Sequence, residues 1–379
     1  MKKIILATAV AATLMTGSVL AAGPTLYGKI HLSVDKLDNG GSSSTGSQYN
    51  EAALNSNASR IGVKGSEDVG NGMKIGYLIE WEVDMTGDGR DMNVRNRVVT
   101  LSGDWGTFLA GKWDSPMKTL GRKVDLFGDQ IGDLRNMTSV NANYKGMYQT
   151  NGAIQTIDQR WDNVIQYSSP VMSGFRATVG YSFDTNTDDV YRDARDSGDN
   201  QDNDAVSFNV IYDNGPIMAG VGYEQTSSDG LSGLNKMAKY DDQKAWRLAA
   251  KYEVMSDLDV IASYTDIDNM AFQKELDTNI YTLGAAYTMG NNKLKLQYAV
   301  RDDFDGINGP AKNDTGSSMI SVGLDHMMSE RTTVYAAYSM TDNDKYAGST
   351  PWLVSHDERA VGSVGDDANA FSVGIIHRF

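Results

Sequence analysis

Asp125, Asp129 and Asp133 recur every fourth residue in the segment DSPMKTLGRKVDLFGDQIGDLRN, which opens at Asp114. On a short helix that spacing lines three carboxylates along one stripe. Leu126, Phe127, Ile131 and Leu134 would lie on other faces and anchor the helix to a wall, with Arg122 and Lys123 preceding it. Fixed carboxylates beside water create a field that sorts passing ions. The bland reading of the same stripe is a solvated helix face on an ordinary loop. Catalysis finds little support. The four histidines, His31, His326, His356 and His377, are scattered without a serine, cysteine or metal-ligand partner at useful spacing. No GxSxG, HExxH or phosphate-cradling glycine loop occurs. No catalytic residue, cofactor or metal ligand is assigned.

A second acidic set, Glu51, Asp88, Asp91, Asp193, Asp196, Asp199, Asp202 and Asp204, crowds other polar stretches. DSGDNQDND at 196–204 offers Ca2+ several oxygens, but it lacks the spaced glycine and terminal glutamate of an EF-hand loop. A solvated acidic loop is the plainer reading.

The segment 114–160 stands out because its surroundings alternate and it does not. In LYGKIHLSVD, Leu26, Gly28, Ile30, Leu32 and Val34 take one face while Tyr27, Lys29, His31, Ser33 and Asp35 take the other. MKIGYLIEWEVD, FRATVGYSFD, AWRLAAKYEV and KLKLQYAVR repeat the pattern, one face apolar with aromatic ends and the other polar. Period two marks strands. Sixteen runs start near residues 24, 57, 73, 94, 106, 160, 174, 204, 216, 244, 258, 279, 292, 316, 331 and 369. Short links such as DVGNG, DNGP and MGNN alternate with long polar ones. Short turns at one end and long loops at the other predict a closed antiparallel barrel crossing an outer membrane. Sixteen strands enclose a water-filled channel rather than a packed core. A large soluble β-sandwich could alternate locally in the same way, but it does not call for alternating link lengths.

Composition agrees. The chain has 34 Lys and Arg against 49 Asp and Glu, a formal charge of −15, which excludes the basic footprint that nucleic acid needs. It has no cysteine, 39 glycines and only 6 prolines, which suits long uninterrupted ladders. MKKIILATAVAATLMTGSVLAA reads as a secretory signal peptide over residues 1–21: basic Lys2 and Lys3, an apolar run, then small residues before cleavage after Ala21 or Ala22. Residues 22–379 then form one domain.

Four passages, LYGKIHLS at 26–33, SRIGVKGSEDVGNGMK at 59–74, RNRVVTLSGDWGTFLAGK at 95–112 and FSVGIIHRF at 371–379, resemble the general-diffusion porins of Gram-negative outer membranes. DLFGDQIGD sits where such porins fold their third loop into the barrel. The resemblance implies an all-β, 16-stranded antiparallel transmembrane barrel, with 114–160 as an inward-folded constriction loop. Asp125, Asp129 and Asp133 would be the acidic side of the neck, with Lys29, Arg60 and Arg95 the basic wall. Arg97 shares Arg95's parity and would also point inward, although a one-residue slip would turn the arginines outward. Phe371, Val373, Ile375 and Phe379 look like the terminal signal read by the barrel-insertion machinery; the family's usual tyrosine is His377 here. The resemblance further implies a homotrimer in contact with outer-membrane lipids and lipopolysaccharide. The expected function is passive diffusion of ions and small hydrophilic solutes, with a mild cation preference from the acidic loop and net charge. A substrate-selective porin, for oligosaccharides or a specific ion, is the second reading, and a barrel enzyme a remote third.

Overall fold

The computed structural model describes residues 22–41, 48–87, 92–141, 153–185, 203–228, 241–306, 313–352 and 362–379. The signal-peptide segment 1–21, and Asp88, Asp91, Asp193, Asp196, Asp199 and Asp202 of the acidic stretches, lie outside them. Sixteen strands make one sheet. They are β1 (Ala22–Asp38), β2 (in two segments, Asn50–Ser56 and Arg60–Gly70), β3 (Met73–Val83), β4 (Met92–Gly103) and β5 (Gly106–Asp114). After the long third loop come β6 (Arg160–Ser168), β7 (Phe175–Ser182), β8 (Ala205–Asn214), β9 (Ile217–Thr226) and β10 (Gln243–Met255). The sheet continues through β11 (Leu258–Asp268), β12 (Thr278–Met289), β13 (Asn292–Arg301), β14 (Ser317–Met327), β15 (Thr332–Asn343) and β16 (Ala368–Arg378).

Neighbours in sequence pair antiparallel all the way round, and β1 closes on β16 from Lys29 opposite Arg378 to Asp38 opposite Asn369. Closure removes both sheet edges, so every strand has a partner on each side. Both segments of β2 pair with β1. The break between them falls at Asn57–Ser59, where Ala58 takes a positive φ of 52° and the ladder pauses.

The period-two pattern sorts the faces. Outward positions are apolar and exposed, as with Leu248 (55 %), Leu283 (65 %) and Leu296 (49 %). Inward positions are polar and buried, including Ser33, Thr100, Ser207, Thr282 and Gln297. This inverts a water-soluble protein and matches a barrel with lipid outside and a polar interior. Phe371, Val373 and Ile375 face outward, and Phe379 covers Gly28, to which it is joined by paired backbone hydrogen bonds.

Candidate functional site

The segment after β5 departs from the expected helix. The helix forms earlier, over Pro116–Gly121, where Ser115 accepts from the Lys118 amide at 3.2 Å and Pro116 supplies a ready-made first turn. It tightens into a 3₁₀ turn at Arg122–Val124 and then stops. Asp125, Asp129 and Asp133 therefore share no helical stripe. Each carboxylate or backbone competes against helix. Asp125 accepts from the Phe127 amide at 2.9 Å. Asp129 has φ 60°. Asp133 accepts from the amides of Asp129 and Arg135 and caps the 3₁₀ turn Leu134–Asn136. Gly132 has φ 81°, and a Cβ there would stand 2.2 Å from the Ser321 hydroxyl, so the loop approaches the wall too closely for any other residue.

Contacts to inward-facing side chains carry the loop from wall to wall. Ser207 accepts from the Met117 amide at 3.1 Å, and Asn209 donates to the Pro116 carbonyl at 2.7 Å, both on β8. Arg247 of β10 grips Asp158 with two hydrogen bonds, 2.5 and 2.9 Å, both side chains buried. On β13, Lys295 donates to Gln130 at 2.7 Å, and Gln297 donates to the Gly132 carbonyl while accepting from the Leu126 amide. Phe127 and Ile131 are fully buried beside Trp352, Tyr335 and Leu37. Those apolar contacts fasten the loop where the sequence placed its anchors.

Asp129 then faces the wall made by β1–β4. Lys29 donates to it at 2.8 Å, Arg135 reaches it at 3.1 Å and Arg60 at 3.9 Å. Burial alone would push its carboxyl up, but Lys29, Arg135, Arg60 and Arg122 outweigh that and hold it well below the ordinary carboxylate range. Arg135 also binds Asp133, which is fully buried. Asp125 lies elsewhere, in a crevice between loop and wall lined by Arg247, Thr265 and Thr282. Burial, reinforced by Asp133, raises its carboxyl well above the usual range. The three carboxylates thus have three different fates.

On the wall, Arg95 binds Glu80 at 2.8 Å and Glu82 at 2.5 Å, and Arg60 lies 3.8 Å from Glu80. Asp114 gathers Arg122 (2.7 Å), Arg160 (3.1 Å) and Lys118 (3.3 Å). Glu80, Glu82, Asp114, Arg135 and Arg160 were not singled out from sequence. Glu80 and Glu82 were visible as inward positions of an alternating strand, and the register sets Glu82 opposite Arg60. Trp161 is fully buried with Val98, Leu109 and Val164 and presents no ring to a solute.

Arg97 is corrected. Val94 stands opposite Trp81 and Arg97 opposite Ile79, so Arg95 and Asn96 together oppose Glu80. This β-bulge inserts one residue and reverses the parity beyond it. Arg95 is buried on the inside while Arg97 is exposed on the outside, its guanidinium 5.7 Å from the centre of the Trp81 ring.

A closed sixteen-stranded barrel, apolar outside, with charged groups gathered between a loop and its inner wall, matches the Gram-negative porin family over residues 7–346. The chain belongs to the Gram-negative porin family. Outer membrane porin protein 32 of Delftia acidovorans is 28 % identical over 393 residues, spanning all of both chains. An outer membrane porin protein of Bordetella pertussis is 24 % identical, again over the whole of both. Among solved structures, an anion-selective porin from Comamonas acidovorans superposes with a TM-score of 0.73 at 26 % identity, covering 94 % of this chain and 99 % of that one. This porin is an outer-membrane channel protein and not an enzyme.

Proposed function

We propose that this porin passes small hydrophilic solutes by diffusion through a neck between the third loop and the β1–β4 wall, with a preference for anions. The carrying observation is the neutralisation of Asp129 by three cations, while Asp133 is buried and Asp125 is held toward its protonated form. The acidic loop that suggested cation preference has its charge tied up.

Within the ion pairs around Asp114 and Asp129, five arginines (Arg60, Arg95, Arg122, Arg135, Arg160) and two lysines (Lys29, Lys118) meet five carboxylates (Glu80, Glu82, Asp114, Asp129, Asp133), and since burial lowers the Lys118 ammonium the arginines carry the positive side. Arg122 is 38 % exposed, and the neighbouring Lys123, which pairs with Asp213 outside this group, is 37 % exposed. Charge at the narrow point outweighs charge on distant loops, because screening in 0.1 M salt erases exposed charges beyond about 10 Å. The net −15 of the chain is therefore a poor guide to selectivity. The anion-selective character named for the Comamonas acidovorans protein supports the same reading.

We further propose assembly as a homotrimer, which a solved trimer form of a Vibrio cholerae outer membrane protein, OmpT, supports by analogy of fold. Export by residues 1–21 and delivery to the insertion machinery through Phe371, Val373, Ile375 and Phe379 complete the reading. Liposome swelling tests the transport claim: gluconate should enter faster than a cationic amino sugar of similar size. Equal rates, or faster entry of the cation, would reject the anion preference.

A further inference from the structure

Strand pairing sets three cations side by side on the inner wall. Arg60 of β2 stands opposite Lys29 of β1, and Lys29 stands opposite Arg378 of β16. Residues directly opposite on adjacent strands share a face, so Arg378 points inward with Lys29. His377, one residue earlier, points outward and meets the Thr332 hydroxyl at 2.9 Å. The backbone fixes this register. The Arg378 amide donates to the Arg331 carbonyl at 2.9 Å, and the next residue, Phe379, is bonded to Gly28 in both directions.

Like charges in directly opposed positions repel and need an offset. Asp129 supplies it for two of the three, at 2.8 Å from Lys29 and 3.9 Å from Arg60. The cover given by the third loop ends there. Arg378 is exposed, and among the described residues it forms no ion pair. Asp129 and Asp325 act on its charge from farther off. Both are already engaged, Asp129 by Lys29 and Arg135, and Asp325 by Lys295 at 3.0 Å. The terminal carboxylate of Phe379 accepts from the Gly28 amide at 2.9 Å. The row thus ends in a guanidinium open to water at the short-turn end of β16, past the neck.

The neck itself is made of different groups. There Arg95 lies on Glu80 and Glu82, Arg122 and Arg160 lie on Asp114, and Arg135 lies on Asp129 and Asp133. Conduction needs sites that favour entry yet release the ion easily, which several weak sites in series achieve better than one.

We propose that Arg378 is a further selectivity-determining residue of this channel, a second station for anions on the short-turn side of the neck. The inference rests on the anion preference proposed above and adds a residue outside the constriction that sustains it. A unit charge about 10 Å from a passing ion, screened by 0.1 M salt, changes the partition of that ion by roughly 1.3-fold. Anion and cation respond in opposite senses, so the permeability ratio moves by about 1.7-fold, and by less in 1 M salt.

The chain has no cysteine, so Arg378→Cys introduces a single thiol. Protein refolded in vitro bypasses the insertion signal, in which Arg378 lies between Ile375 and Phe379. Reversal potentials in a KCl gradient are read before and after reaction with thiosulfonate reagents of opposite charge, one bearing trimethylammonium and the other sulfonate. The anion-to-cation ratio should fall about 1.7-fold on Arg378→Cys, recover with the cationic reagent and fall further with the anionic one. A residue that only shaped the barrel would respond to both reagents alike. A ratio unchanged by the substitution and by either reagent, with modification confirmed by mass, would remove Arg378 from the ion path and leave the anion preference standing. A thiol that neither reagent reaches would do the same. A cation-sided potential from the unaltered chain would overturn the anion preference and this inference with it.

Discussion

Arg95 and Arg97 lie two residues apart on one strand and meet opposite surroundings. Arg95 is buried on the inside, held by Glu80 and Glu82, and belongs to a network that binds a loop to a wall. Arg97 is exposed on the outside over an indole ring. One inserted residue, Asn96, separates the two fates. The comparison teaches that a charge in this barrel acquires its role from the face it occupies and from what already neutralises it. Inside, the arginines around Asp114 and Asp129 set the proposed selectivity. Outside, the same residue type lies over an indole ring, away from the neck.

The inner network can be broken most severely at Arg247. Replacing it by alanine removes the guanidinium that neutralises the buried Asp158 carboxylate, a loss of about 3–5 kcal/mol. A lower unfolding temperature and a larger, noisier single-channel conductance are expected; unchanged values would show that this pair does not hold the loop. Asp129→Asn should act next most strongly, freeing Lys29, Arg60 and Arg135. The anion-to-cation permeability ratio should rise about two- to fivefold, with Arg122→Glu moving it the other way. A fall on Asp129→Asn would show that Asp129 does not restrain those cations.

The pH response separates two carboxylates of the same loop. Asp125 is raised in the folded protein, so its contribution to stability is full below its unfolded value and fades as pH rises through the folded one. Asp129 is lowered, so its contribution holds above the unfolded value, about 4, and is lost only as pH falls through the depressed one. Unfolding temperature should therefore decline modestly upward from about pH 5, and Asp125→Asn should flatten that slope. A slope unchanged by Asp125→Asn would reject the assignment. The smallest effect belongs to Arg97→Gln, which should leave conductance and reversal potential unchanged. A shifted permeability ratio would place Arg97 in the lumen and undo the bulge.

The barrel was legible because lipid outside and water inside impose alternation on every strand, and link lengths reveal which end is which. The anchors Phe127 and Ile131 were legible for the same reason, as apolar residues in an otherwise polar loop. Lys29 and Arg60 lie against Asp129, while Arg95 stands beside them on Glu80 and Glu82. The bulge was not legible: Arg95-Asn96-Arg97 gives no signal separating a continued strand from one with an inserted residue, since the decision lies in the pairing with Glu80. The four-residue spacing of aspartates misled because Gly128, Gly132 and the side chains' own hydrogen bonds to backbone amides favour turns over helix. Arg135 was missed because its role depends on that turn, which folds it back onto Asp129 and Asp133.

The central claim is that the neck, and not the net charge of the chain, decides which ions pass. The reversal potential of refolded protein in a planar bilayer under a KCl gradient tests it most directly. An anion-sided potential from a chain of net charge −15 is the predicted result. A cation-sided potential would contradict the account and return selectivity to the acidic residues that the loop's ion pairs are held here to neutralise.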